Sequence, residues 1–273
     1  MTETLKLTAS DGLPGDAFGN SVGISGGTIA VGAFFVNNFS GRAYVFTCSK
    51  SGCNQAAELS ASDSGGILDY LGCSVAISGN TVVAGSFGHN NFQGSAYVYV
   101  KPDSGWTDMT ETAELTTFNG QGGDNVGFSV AIRGGTVVAG APGAHNFFGT
   151  AYVYLEPPTG WTGTGNYNAG LGAPDAVQGD SFAQSLAIGE NQNVIAVGGP
   201  GANIGNNLEQ GAAYAYVRPG AGWKGTRHAY AEATASDGAS ADLMGVSIGI
   251  SRGIMVAGAP KSSSPGAAYV FGR

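Results

Sequence analysis

The sequence predicts an all-β fold: a five-bladed β-propeller of four-stranded antiparallel blades, one domain over residues 1–273. Three observations predict it. One motif returns five times in register, with a period of about 50 to 60 residues. Short β-branched and aromatic runs alternate with Gly, Asn, Asp and Pro, which is strand and turn chemistry and leaves no room for a helix between them. The first residues match a segment that the last repeat lacks. Composition sets the limits. Gly supplies 48 of 273 residues without a three-residue period, which excludes collagen. A hydrophobic share of 42% supports a core and excludes disorder. No apolar run approaches the roughly 18 residues of a membrane helix. No membrane insertion is therefore expected, and nineteen acidic against eleven basic residues give a net charge of −8, so no nucleic-acid partner is expected either.

The first strand of each repeat is the innermost, as in GNSVGIS from Gly19 and GCSVAIS from Gly72, whose small residues suit a narrow axis. Turns at Ser25–Gly27 and Ser78–Asn80 call for positive φ and lead into the second strand. A loop follows, then the third strand: RAYVF at Arg42, SAYVY at Ser95, TAYVY at Thr150, AAYAY at Ala212 and AAYVF at Ala267. Another tight turn precedes Trp106, Trp161 and Trp223 and starts the outer strand. Strands apolar on both faces fit small sheets sandwiched between neighbours. Repeats begin near residues 7, 59, 115, 171 and 233, and the fifth stops after its third strand. Met1–Leu7 (MTETLKL) matches Met109–Leu115 (MTETAEL), the expected outer strand of the second blade. Residues 1–6 are therefore expected to complete the last blade and close the ring.

These motifs resemble the FG-GAP repeat family, whose relatives include the N-terminal propellers of integrin α-chains. Phe18-Gly19 carries the FG element, with Leu71-Gly72, Val126-Gly127, Phe182-Ala183 and Met244-Gly245 in its place elsewhere. Gly140-Ala141-Pro142 and Gly258-Ala259-Pro260 are full GAP elements; Gly32-Ala33, Gly85-Ser86 and Gly198-Gly199-Pro200 are partial ones. The resemblance implies a recognition or scaffold propeller. It does not bring the family's calcium sites, because the Asp/Asn-rich loop between strands 1 and 2 is here a bare SGG or SGN turn. The family usually has seven blades, and this chain shows five repeats.

In a four-stranded meander the 2-to-3 and 4-to-1 loops emerge at the same end of the blades. The 4-to-1 loops hold Asp11 and Asp16, Asp63 and Asp69, Asp124 (with Asn119), Asp175 and Asp180, and Asp237 and Asp242, nine of the chain's eleven Asp. Such a ring of oxygens could ligate Ca²⁺. The preferred reading is that each Asp accepts backbone N–H bonds within its own turn, with no cofactor. The 2-to-3 loops carry Asn38-Phe39, Asn91-Phe92 and Asn146-Phe147, with His89 and His145 just before two of them. An amide beside an aromatic ring is the equipment that holds a sugar, so these eight residues are the candidate ligand site. Their alternative role is packing and turn capping.

Cys48 and Cys53 face each other across a hairpin turn and are expected to form a disulfide, which places the chain outside the cell or at its surface. Cys73 is expected to be a buried free thiol. No nucleophile elbow, HExxH or CxxC site is present. The sequence thus points to a secreted, non-catalytic recognition or scaffold module, a part of a larger polypeptide active in adhesion or carbohydrate binding, with a glycan or protein partner. The alternative is a glycan-processing enzyme using rim carboxylates.

Overall fold

The computed structural model describes residues 2–63, 68–262 and 265–272. Its strands form five sheets in chain order. Blade 1 contains β1 (Ser21–Ser25), β2 (Thr28–Ala33), β3 (Arg42–Ser49) and β4 (Gly52–Ser60). Blade 2 begins with β5 (Val75–Ser78), β6 (Thr81–Ser86) and β7 (Ser95–Val100). The expected outer strand Met109–Leu115 then splits. Its first part, β8 (Met109–Thr110), pairs parallel with β4 of blade 1, and only β9 (Ala113–Leu115) pairs with β7. Blade 3 contains β10 (Ser129–Arg133), β11 (Thr136–Ala141), β12 (Thr150–Leu155) and β13 (Ala169–Gly172). Blade 4 contains β14 (Ser185–Ile188), β15 (Val194–Gly199), β16 (Ala212–Val217) and β18 (Ala231–Ala233), while the intervening β17 (Gly225–His228) pairs parallel with β13. Blade 5 contains β19 (Ser247–Ser251), β20 (Ile254–Ala259) and β21 (Ala267–Phe271). The two parallel additions lace the outer edges of blades 1 and 3 to the blade that follows and cover backbone that would otherwise be an open edge, and a single parallel bridge, Leu115 to Thr164, does the same at blade 2.

Both faces of the inner blades are apolar because each meets a neighbour. The face of blade 1 with Ala30, Val45 and Leu59 packs on the face of blade 2 with Val75, Ile77, Tyr97 and Tyr99. Equivalent residues build the next three interfaces. Trp106, Trp161 and Trp223 pack into these interfaces, Trp161 and Trp223 buried.

The two family-like elements lock the blades. Within a blade the N–H after the FG aromatic position donates to the GAP glycine carbonyl, as from Gly72 to Gly85 and from Gly127 to Gly140, both at 2.9 Å. Between blades a serine hydroxyl donates to the next FG carbonyl: Ser21 to Gly72, Ser74 to Gly127 and Ser129 to Ala183 at 2.8 Å, and Ser185 to Gly245 at 2.7 Å. The approach is so close that a Cβ on Gly85 would stand 1.8 Å from the Gly127 carbonyl oxygen.

The inner strands pack in the order β1, β5, β10, β14, β19. At the two ends the interface residues are uncovered: Val22 (66% exposed) and Ile24 (71%) on β1, and Val270 (68%) on β21, whose counterparts Ile77, Ile132 and Val45 are buried. Of the expected closing segment, Met1 lies outside the described residues. Residues 2–6 form no strand, and among the described residues no strand pairs with the outer edge of β21. Leu7 and Ala9 pack instead on Val31, Tyr44 and Phe46 of blade 1, just as Leu59 packs on blade 2.

Candidate functional site

The 2-to-3 and 4-to-1 loops do share one rim, and backbone bonds join them. Gly88 N–H donates to the Asp69 carbonyl, Gly143 to Asp124 and Gly201 to Asp180. The 2-to-3 loops of blades 1 to 3 are single turns, Val36–Phe39, His89–Phe92 and Ala144–Phe147, made of left-handed rather than helical residues. Asn38, Asn91 and Asn146 have φ of 55°, 58° and 62°, a conformation that Asn tolerates better than most residues. Phe39, Phe92 and Phe147 also have positive φ, and their carbonyls accept N–H groups of the following blade's loop: Tyr70, Asn125 and Gly179 respectively. The Asn-Phe-x-Gly pattern is thus a turn that ties one blade to the next.

Its aromatic rings are not tucked away. Phe39 is 40% and Phe147 is 54% exposed. Phe39 contacts Phe35 and Tyr70, Tyr70 stacks on Phe87 at 4.7 Å, and Phe87 touches Phe92 and Phe128. An aromatic strip therefore runs over blades 1 to 3, and Asn37, Asn38, Asn90 and Asn91, next to Phe39 and Phe92 in the chain, are exposed, the Asn90 amide donating to Gln93 at 2.6 Å. Sequence reading found Phe39 and Phe92 but missed Phe34, Phe35, Tyr70, Phe87 and Phe128. A signal was available, since Phe34 and Phe87 stand where Pro142, Pro200 and Pro260 complete GAP elsewhere.

His89 and His145, alike in sequence, sit differently. His145 lies in a left-handed position with its Nδ1 3.1 Å from the Thr150 hydroxyl. His89 aligns one position earlier, with Val36 and Ala144, and turns into the blade. There its Nε2 lies 3.4 Å from Asp63 Oδ2 and 3.7 Å from Glu114 Oε1, and its Nδ1 3.6 Å from Asp69 Oδ1. Glu114, on β9, was not anticipated, because nothing in a strand glutamate signals a site. Burial, together with the negative charges of Glu114 and Asp63, raises the Tyr97 hydroxyl's pKa, so it remains a donor, to Asp63 Oδ1 at 2.9 Å. Burial also holds the Asp69 carboxyl above its ordinary range, against the pull of His89.

The remaining aspartates divide by position. Asp16, Asp124, Asp180 and Asp242 each accept the backbone N–H three residues earlier at 2.7–2.8 Å, from Leu13, Gln121, Val177 and Ala239. Asp11, like Asp63, accepts a tyrosine hydroxyl, that of Tyr44 at 2.9 Å. In blade 1 Arg42 pairs with both Asp11 and Glu58. In blade 4 desolvation first, and Asp175 second, raise the Glu232 carboxyl. Asp237 enters no hydrogen bond among the described residues, and the nine aspartates do not converge on one point. A groove of about 880 Å³ lies between blades 4 and 5, at the opposite end of the strands, lined by Val217, Tyr230, Ile250, Ile254 and Phe271.

Residues 1–46, 53–99, 109–154 and 229–271 match the profile of the FG-GAP repeat. The chain belongs to the FG-GAP repeat family. Each matched segment joins an outer-strand position to the three inner strands of the next blade. The unmatched stretch contains the FG-GAP unit of blade 4, where Ala183 replaces the FG glycine and the 2-to-3 loop is longest. No curated protein matches the chain significantly. The Cys48–Cys53 disulfide is formed, and among the described residues no helix is long and apolar enough to cross a membrane.

Proposed function

We propose that this FG-GAP chain is an extracellular, non-catalytic recognition module that binds a glycan through the rim of blades 1 to 3. The observation that carries the reading is the aromatic strip from Phe35 to Phe128, partly exposed, with exposed asparagines next to Phe39 and Phe92 in the chain. Sugar rings present apolar C–H faces and a girdle of hydroxyls, and this strip offers a counterpart to each. The disulfide supports the extracellular assignment. Catalysis by rim carboxylates finds less support. Asp16, Asp124, Asp180 and Asp242 are each engaged by a backbone N–H of their own turn, a bracing rather than an acid–base role. A glycan array tests the proposal, with Phe39→Ala and Phe92→Ala alongside the native protein. Binding that both substitutions abolish at unchanged melting temperature supports it. Binding indifferent to both overturns the strip as the site, and released product overturns the non-catalytic reading.

A further inference from the structure

We infer that blade 2 carries a binding site for a transition-metal dication such as Zn²⁺, with His89 Nε2 and carboxylate oxygens of Asp63 and Glu114 as ligands. This goes beyond the glycan reading and does not depend on it. The three ligand atoms lie within 4.8 Å of one another, with Nε2 3.4 Å from Asp63 Oδ2 and 3.7 Å from Glu114 Oε1. Tetrahedral Zn²⁺ with bonds of about 2.0–2.1 Å places neighbouring ligands roughly 3.3 Å apart, so small side-chain shifts suffice. A nitrogen donor among carboxylates selects a borderline cation over Ca²⁺, which prefers six to eight oxygens.

The surroundings match what ligating groups need. Zinc-bound histidine usually donates its other ring N–H to a carboxylate, which fixes tautomer and orientation. Here Nδ1 faces Asp69 Oδ1 at 3.6 Å, just beyond hydrogen-bond distance, and has no other hydrogen-bond partner among the described residues, so the pair is placed to close when the ring is fixed by a metal. The Asp69 side chain is 9% exposed, and its Oδ2 has no hydrogen-bond partner among the described residues. A buried carboxylate with an unpaired oxygen is costly unless a cation stands close by. Tyr97 donates to Asp63 and Ser95 donates to Glu114 Oε1 at 2.7 Å, which holds both carboxylates in place.

Blade 1 supplies an internal comparison. Asp11 and Glu58 occupy the positions of Asp63 and Glu114, and Arg42 bridges them. Blade 2 has Ser95 at the Arg42 position and a histidine where blade 1 has Val36. One repeat answers its two carboxylates with a built-in cation; the next has replaced that cation with a metal ligand.

Zn²⁺ titration by calorimetry, and Co²⁺ titration by visible absorption, test this on the full chain in a Cys73→Ser background. The expected result is one Zn²⁺ per chain and a cobalt spectrum of low coordination number. His89→Gln should abolish both, and Asp69→Asn should weaken Zn²⁺ by about 10–100-fold. Asp124→Asn, on the neighbouring blade, should leave Zn²⁺ binding unchanged. Circular dichroism establishes that each variant is folded. No Zn²⁺ binding at millimolar concentration overturns the site, as does binding that survives in folded His89→Gln. Ca²⁺ binding at this site in preference to Zn²⁺ overturns the assignment of the metal class.

Discussion

A single carboxylate braces each of four rim turns. Asp16, Asp124, Asp180 and Asp242 accept the N–H three residues back, a bond that a truncated side chain cannot make. Asp124→Ala should therefore cost about 1.5–3 kcal/mol in chemical denaturation, the range for a hydrogen bond to a charged group. Asp180 separates the hydrogen bond from the charge. Desolvation raises its carboxyl pKa, with the Val177 N–H working against the rise and Asp175 adding to it. A raised folded-state pKa means that the folded chain binds more protons than the unfolded one, so this residue's contribution falls as pH rises from about 4 through the folded pKa. Asn keeps an acceptor for Val177 and has no charge to bury. Asp180→Asn should thus match or exceed native stability at pH 7, with the margin shrinking towards pH 4, while Asp180→Ala should be destabilised. A loss in Asp180→Asn equal to that in Asp180→Ala at pH 7 would count against this account. Cys73 shows burial acting on a thiol. It is half-buried rather than fully buried as expected, yet its Sγ lies 3.4 Å from the carbonyls of Gly85 and Gly127, and desolvation pushes its pKa up to about 11. Iodoacetamide at pH 8 should label the folded protein far more slowly than the unfolded chain.

At the scale of the element, the hairpin β3–β4 shows what the disulfide does. Cys48 and Cys53 pair in register across the turn, so the bond reinforces a contact that the strands already make. The closed loop is short, and the chain-entropy model gives about 2 kcal/mol. Cys48→Ser should fold and lose stability of that order; failure to fold would show that the sheet alone does not hold this edge. The strands were legible in the sequence because each carries its own alternation of β-branched and small residues, repeated five times. The outer strand was legible only in part. Nothing in MTETAEL says that Met109–Thr110 leaves its blade for β4, because parallel edge pairing depends on where the neighbouring blade stands. The site was legible where a motif repeats and hidden where it does not. Asn38, Asn91 and Asn146 stand out as a repeated Asn-Phe motif, although their left-handed backbone shows only in the structure. Glu114 is one of several strand glutamates, and it matters only because His89, one position out of step with His145, reaches it.

At the scale of the molecule, the two uncovered end faces are the two halves of an interface that the chain builds four times. Blade 5 retains Ser247, the counterpart of the serines that donate to the next FG carbonyl, and Gly258, the counterpart of glycines that the next blade crowds. A Cβ on Gly85, Gly140 or Gly198 would meet a neighbouring carbonyl at 1.8–2.2 Å, whereas on Gly258 it would meet only Ser247 of its own blade. At the other end Gly19 has open space where Gly72, Gly127 and Gly245 are hemmed in. Residues suited to a contact are thus present at both ends, and the family profile counts residues 1–46 as a whole repeat, with the N-terminal segment in the outer-strand position. We propose that the ring closes. Leu5–Leu7, which match Ala113–Leu115, would pair with β21, and Ser247 would donate to the Gly19 carbonyl. Closure would bury Val22, Ile24 and Val270, each contributing roughly 1.5–3 kcal/mol for full burial. Two measurements decide it. Deleting residues 1–6 should lower the melting temperature or produce dimers by strand exchange, and a monomer with unchanged melting would overturn closure. Gly258→Ala should destabilise as severely as Gly140→Ala if a neighbour crowds it; a mild effect at Gly258 alone would mean that the arc stays open. Sedimentation separates closure within one chain from head-to-tail pairing of two copies, since only the latter depends on concentration.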